Sequence, residues 1–171
     1  MRPATLCFLL KGNPPQEILL GLKKARFGAG KYNGFGGKLK DGESIVKAAI
    51  RELEEEAGVE VHEEDLRQVA RLTFFFPARP AWDQVVHAFV ATRWEGHPAE
   101  SDEMAPRWFP VDQIPFGMMW QDDAHWLLRV LAGERVEGCF VFGDDNETLV
   151  DVEIHANEGE GWEHASDACV S

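Results

Sequence analysis

The chain has 171 residues, 44% of them hydrophobic and 27% charged. That balance describes one globular domain with at most a small appendage and excludes a disordered or fibrous protein. A net charge of −13 argues against gripping a nucleic acid polymer through its phosphates, and no apolar run approaches the ~20 residues that span a bilayer.

Taken in chain order, Thr5 to Leu10 and Ile18 to Leu22 are short apolar runs around a Gly-Asn-Pro-Pro turn, Gly12 to Pro15, and predict a hairpin. Only the brief apolar stretch Leu6 to Leu10 follows Met1, without a small-residue cleavage site, so no secretory signal is expected. A first helix is predicted from about Ser44 to Ala57, stopped by Gly58. Leu66 to Phe76 and Val85 to Trp94 read as strands rich in aromatic and β-branched residues, joined by a loop holding Pro77, Pro80 and Trp82. A second helix begins near Gln121 to Asp123 and runs to Ala132 before Gly133. Val141 and the alternation Val150, Val152, Ile154 predict a last pair of half-buried strands. The mixed order predicts an α+β fold, helices packed on a mostly antiparallel or mixed sheet.

From Ala156 onward periodicity is lost, which predicts a domain over residues 1–155 and a flexible acidic tail over 156–171. Nine Asp or Glu and no Lys or Arg lie between Gly143 and Ser171, so residues 1–142 carry only −4. An anionic small substrate held through metal ions is compatible with that near-neutral body. Cys7, Cys139 and Cys169 are too few and scattered for a disulfide framework or a zinc site. A reducing, cytoplasmic location is expected.

The first helix carries the chemistry. At 100° per residue, with Glu52 at 0°, Glu55 falls at about −60° and Glu56 at about +40°, so three carboxylates share one arc. Val46, Ile50, Leu53 and Ala57 fall at about 100° to 160°, the expected core face. Carboxylates in the C-terminal half of a helix oppose its dipole. A solvated acidic face, with Arg51 pairing Glu55, is the bland explanation. Against it stands the loop Asn33-Gly34-Phe35-Gly36-Gly37, costly in backbone entropy and suited to bringing main-chain atoms close to a ligand. Carboxylates with a main-chain carbonyl and water make an oxygen set for a hard divalent cation. The glycines fit neither a phosphate loop, since Leu39 follows Lys38, nor the dinucleotide fingerprint.

Gly37, five residues, Glu43, seven residues, then Arg51-Glu52-Leu53-Glu54-Glu55-Glu56-Ala57-Gly58-Val59 resembles the Nudix box at every specified position, a coincidence on the order of 10⁻⁸ by chance. The resemblance implies an α/β/α sandwich with a mixed sheet and two main helices. It implies hydrolysis of a nucleoside diphosphate linked to another group, and Mg²⁺ (Mn²⁺ able to substitute) held by Glu52, Glu55, Glu56 and the carbonyl of Gly36. Arg51 resembles the family's carboxylate-orienting arginine, and Glu43 a supporting acid. Glu103, within Ser101-Asp102-Glu103-Met104, resembles the carboxylate outside the box that completes the metal site. The proton acceptor is expected to be Glu56 or Glu103.

Gly21-Leu22-Lys23-Lys24 with Phe27-Gly28-Ala29-Gly30, Asn33 to Gly37, Glu100 to Met104 with Trp108-Phe109, Gln113-Ile114-Pro115-Phe116, and Met119-Trp120-Gln121-Asp122-Asp123 with Trp126, spread over roughly residues 4 to 155, further resemble the branch of this family that hydrolyses 8-oxo-dGTP and sanitises the nucleotide pool, a role in DNA repair. That likeness implies a substrate pocket of Thr5, Lys23, Phe27, Asn33, Trp120, Asp122 and Asp123. Trp120 and Phe27 are suited to sandwich a purine. The adjacent aspartates are suited to its edge if one stays protonated, or else one of them caps the second helix. The segment Phe74-Phe75-Phe76 to Trp82 departs from the branch, and Phe74 and Phe76 alternate as core residues do. His87 is expected to be a satisfied core histidine, and Trp126 fits core or pocket. The expected partner is a small nucleotide, with no nucleic acid polymer and no membrane, bound by a monomer. ADP-ribose, a dinucleoside polyphosphate or capped RNA would be alternative substrates, and a non-catalytic nucleotide sensor the alternative outside enzymes.

Overall fold

The computed structural model describes residues 1–159, 161–162 and 169. The predicted hairpin forms from β1 (Arg2–Lys11) and β2 (Glu17–Lys23), antiparallel with Leu10 opposite Ile18. A two-residue β3 (Tyr32–Asn33) follows, then α1 (Ile45–Ala57). The Ser44 side chain accepts the Lys47 N–H at the start of α1, and Gly58 ends it with φ 72°, a left-handed conformation that glycine adopts without steric cost. The two aromatic runs become β4 (Arg67–Phe75) and β5 (Gln84–Ala91), linked through a 3₁₀ turn at Pro80–Trp82. Next come β6 (Met104–Pro110) and α2 (Asp123–Leu131). β7 (Val136–Phe142) and β8 (Leu149–Ala156) close the sheet.

Hydrogen-bonded neighbours run β3-β2-β1-β5-β4-β7-β8, with β6 added to β2. The β1–β5 and β4–β7 pairs are parallel and the others antiparallel, so the sheet is mixed. β6 is a strand that the sequence does not announce, because Pro106 and Pro110 interrupt it. It survives by pairing with β2, in the edge position where a residue without an N–H is tolerated.

The period-2 pattern sends alternate residues to opposite faces. Phe8, Leu10, Ile18, Leu20, Ala88 and Val90 enter a core closed by Trp126, Leu127 and Val130 of α2. Cys7, Leu9, Leu19, Phe89 and Ala91 enter a second core closed by Ala49, Leu53 and Ala57 of α1. A sheet buried on both faces by one helix each is the α/β/α sandwich expected. The core face of α1 is rolled from its predicted position: Ile50 is only half-buried, while Ala48, Ala49 and Glu56 are buried. Rolling brings the acidic arc toward the glycine loop.

Cys139 and Cys169 are joined in a disulfide with Cα atoms 5.7 Å apart, where the sequence suggests no such framework, and Cys7 is free and buried. Around that link the Arg71 guanidinium donates to the Trp162 carbonyl at 2.8 Å, and the Asn157 amide donates to the Arg135 carbonyl at 2.7 Å. Much of the expected acidic tail (160, 163–168, 170 and 171) lies outside the described residues. No helix among the described residues is long and apolar enough to cross a membrane.

Candidate active site

The glycine loop is wedged between β1 and α1, and that position explains its composition. The Thr5 amide donates to the Gly37 carbonyl at 2.9 Å, and the Cys7 and Phe35 backbones exchange bonds at 2.6 and 2.9 Å. A Cβ on Gly36 would lie 1.8 Å from the Thr5 carbonyl oxygen, and one on Gly37 would lie 2.5 Å from a Glu52 carboxylate oxygen. Only a bare backbone passes here. From this position the Gly36 N–H donates to Glu56 at 2.8 Å.

Arg51 organises the rest of the acidic face. Its guanidinium makes five hydrogen bonds: two to Glu43 at 2.7 and 3.0 Å, and one each to Glu52 (2.9 Å), Glu55 (3.2 Å) and the Lys38 carbonyl (3.2 Å). That uses every donor an arginine has. The pairing holds the Glu43 carboxyl down to about 2, through hydrogen bonds from Arg51 first and the Lys40 amide second, and raises the Arg51 pKa.

Burial raises Glu52 above the usual carboxylate range despite its bond to Arg51. Burial also lifts Glu56, only 3% exposed, to about 7; the Gly36 amide and Lys23 work against the shift, and the charges of Glu52 and Glu103 add to it. Glu55 is about half exposed and turned onto Arg51. Glu103, just before β6, is also about half exposed, 3.5 Å from Arg26. Among the described residues no three His, Cys, Asp or Glu groups converge into a ready-formed metal site. The donor set nevertheless fits a hard cation: Glu52, Glu56 and Glu103 offer carboxylate oxygens, and the charges of Glu55 and Glu103 add to the rise of Glu52 as those of Glu52 and Glu103 add to the rise of Glu56, a repulsion that a divalent ion would relieve.

A cavity of about 180 Å³ begins at Glu56, Gly36 and Gly37 and ends among aromatic rings. Thr5, Lys23, Phe27, Asn33, Trp120, Asp122 and Asp123, the whole set expected to form the substrate pocket, line it. Their individual positions differ from expectation in informative ways. Neither aspartate caps α2 with its side chain. Asp122 instead accepts the Trp126 indole N–H at 2.9 Å, and Trp126 itself is fully buried core. Burial lifts Asp122 to about 6, opposed by that indole bond, and lifts Asp123 well above the usual range, helped by repulsion from Asp122. The Oδ2 atom of Asp123 is buried and has no hydrogen-bond partner.

Phe27 and Trp120 do not leave a slot between them. Their rings are stacked on each other, centroids 5.0 Å apart at 29°, whereas an inserted base needs about 7 Å, twice the contact distance of carbon surfaces. Phe74 and Phe76, expected in the core, are both buried and also form cavity wall. Phe142 on β7 joins them, stacked on Phe76 at 4.9 Å. Hydrophobic alternation cannot separate a core position from a cavity wall, and Phe142 carries no other signal. His87 is half-buried with its Nδ1 3.0 Å from Gln68. Burial, then the charge of Arg71, lowers its pKa to about 4, which agrees with a satisfied core histidine.

The glycine wedge, the arginine-tied carboxylates and the cavity all fall in the region that the NUDIX domain profile matches, residues 1–130, apart from Phe142 on β7. The chain belongs to the Nudix family. This Nudix chain is 45% identical over 135 residues to the oxidized purine nucleoside triphosphate hydrolase of Mus musculus, covering 79% of this chain and 85% of that protein. It is 48% identical over 128 residues to the protein of the same name from Danio rerio, covering 75% and 80%. A solved MutT protein from Bacillus halodurans superposes with a TM-score of 0.75 at 25% identity, covering 90% of this chain and 97% of that one. In this Nudix chain the sheet continues beyond the matched region through β7 and β8 to Ala156.

Proposed function

We propose that this Nudix protein hydrolyses oxidised purine nucleoside triphosphates, 8-oxo-dGTP and its relatives, to the monophosphate and pyrophosphate, and so cleans the nucleotide pool that feeds DNA synthesis. One observation carries the reading: a single cavity has an unpartnered buried carboxyl oxygen, that of Asp123, at its aromatic end and the carboxylate of Glu56 at the other. A buried polar atom without a partner costs about 1–3 kcal/mol, and the edge of an oxopurine supplies the partner. Burial raises both carboxyls and repulsion from Asp122 raises Asp123 further, so of the two Asp123 is the one that favours keeping its proton. The pair therefore presents an acceptor beside a donor. The relatives named for oxidised purine triphosphates support the same substrate.

Glu52, Glu55, Glu56, Glu103 and the Gly36 carbonyl would hold the metal. When bound, Mg²⁺ neutralises the phosphate chain and acidifies the attacking water. Arg51 holds Glu52 and Glu55 in place, and Lys23 at the cavity wall offers a cation to the phosphates. Of the two proton acceptors, Glu56 is favoured because it lines the cavity, whereas Glu103 is turned onto Arg26. The new phosphorus–oxygen bond forms from water as pyrophosphate leaves, and the water's proton passes to the base.

The test is release of pyrophosphate from 8-oxo-dGTP, dGTP and dATP by purified protein with Mg²⁺. A preference for the oxidised base and a loss of about 10³-fold in kcat for Glu56→Gln are expected. Absence of pyrophosphate from every triphosphate, with turnover of ADP-ribose or a dinucleoside polyphosphate instead, would overturn the substrate assignment.

A further inference from the structure

The Phe27 ring separates two cavities. One is the base cavity described above, and the other, about 170 Å³, lies between Arg2, Lys38 and the turn that carries Ala81, Trp82, Asp83 and Gln84. Phe27 lines both. Its ring lies flat on Trp120, 5.0 Å away, and meets Trp82 at 4.5 Å and 63°. Despite these contacts it is 45% exposed. The backbone on either side is held in left-handed turns, Arg26 at φ 68° and Gly28 at φ 84°. The Ala29 amide donates to Arg26 and the Gly30 amide to Lys23, at 3.1 and 2.9 Å. The loop is thus pinned at both ends while the side chain at its tip is exposed, and exposed side chains change rotamer within nanoseconds.

The closed arrangement denies the base its stacking surface, because the Trp120 face is covered. The side cavity offers the displaced ring a place to go. A cavity of about 150 Å³ accommodates benzene, so one of about 170 Å³ accommodates a phenyl ring. Trp82 forms one wall, so the aromatic contact is kept in the new position.

We propose that Phe27 is a two-position gate: over Trp120 it shuts the base subsite, and swung into the side cavity beside Trp82 it bares the Trp120 face for the purine. Trp82 and Ala81 are then positioning residues that set how readily the subsite opens. The gate rests on the purine reading of the cavity and adds to it the step that admits the base.

Ala81 is exposed, lines the side cavity and does not line the base cavity. Ala81→Leu therefore fills the receiving space from outside the binding residues. With 8-oxo-dGTP the expected result is a rise in KM of tenfold or more with kcat within twofold, and an intermediate rise for the smaller Ala81→Val. In a Phe27→Ala background, where there is no ring to receive, Ala81→Leu should change KM less than twofold. An unchanged KM for Ala81→Leu, or the same increase with and without Phe27, overturns the gate while leaving the substrate assignment standing. A wild-type protein that hydrolyses no purine triphosphate overturns the substrate assignment, and the gate with it.

Discussion

Replacing Asp122 with asparagine should abolish a loss of stability that the wild-type protein suffers as pH rises from about 4 to about 7. Asp122 is 3% exposed, and among the described residues its only side-chain partner is the Trp126 indole N–H, 2.9 Å from Oδ2. Burial places its pKa at about 6, against an ordinary value of 3.8. Because the folded value is the higher one, the folded protein holds the proton more tightly than the unfolded chain does. That contribution is complete below pH 3.8 and is lost as pH rises through about 6. The gap is worth about 3 kcal/mol. Asparagine has no proton to lose, and its amide oxygen can still accept from Trp126. Urea unfolding of both proteins at about pH 4 and pH 7.5 measures the effect, with the difference between them compared at each pH so that distant titrating groups cancel, and with Asp123→Asn in both so that the neighbour repelled by Asp122 does not titrate. Because the unfolded carboxyl is still partly protonated at pH 4, the variant should gain about 2.5 kcal/mol between the two conditions over the protein that keeps Asp122. An equal difference at both pH values would mean that Asp122 ionises as freely in the fold as in the unfolded chain. The acceptor-beside-donor account of the aspartate pair would then be refuted.

Trp120→Ala should raise KM for 8-oxo-dGTP by about 5- to 150-fold, the range of ~1–3 kcal/mol for base stacking on an aromatic ring, with kcat little changed in steady-state kinetics. Gly36→Ala should be destabilising by about 3 kcal/mol or more in thermal or urea unfolding, because the clash at 1.8 Å is with the Thr5 backbone and no rotamer relieves it. Mg²⁺ should be taken up in calorimetry and should raise Tm, since an ion that binds only the folded state at 100 times its Kd adds about 2.7 kcal/mol. No shift in Tm at millimolar Mg²⁺ would remove the metal from the account.

The parts of this molecule legible in its sequence are those whose signal is local. Ser44 and Gly58 bound α1 because a cap and a left-handed stop are properties of single residues. The hairpin of β1 and β2 follows from two apolar runs and a turn, and the carboxylate spacing of α1 follows from helix geometry alone. What the sequence conceals is set by tertiary contacts. Ile50 reads as core by periodicity, yet Glu56 takes the buried place because the Gly36 amide satisfies it. Met104–Pro110 carries no strand signal because its prolines suppress strand propensity, and pairing with β2 makes it a strand. That Trp120 and Phe27 border one cavity follows from the family likeness. That they stack face to face depends on the Arg26–Gly30 turn, on which the sequence is silent. Cys139 and Cys169 are 30 residues apart, and no local signal pairs them.

Burial raises the carboxyl groups at both ends of the cavity, and what acts against burial differs between Asp123 and Glu56. Asp122 and Asp123 are buried among aromatic rings, and among the forces acting on their protonation only the Trp126 indole and a local backbone amide favour charge on Asp122, while none favours it on Asp123. Of that pair Asp123 favours the carboxylic acid, able to donate to a base. Glu56 is equally hidden from solvent, but the Gly36 amide and the Lys23 ammonium both favour its anion. That end is readily made a carboxylate, able to take a cation or a proton. Carboxyl groups whose environments push them apart in this way divide acid and base roles within one site. Removing the Lys23 cation should narrow the distinction, leaving the Gly36 amide to favour the anion. Lys23→Met should push Glu56 further up, because the charge that opposes its burial is gone, and should shift the acid limb of the kcat/KM profile to higher pH. A profile unmoved by Lys23→Met would show that burial and the Gly36 amide alone set the state of Glu56, and that Lys23 serves the phosphates only.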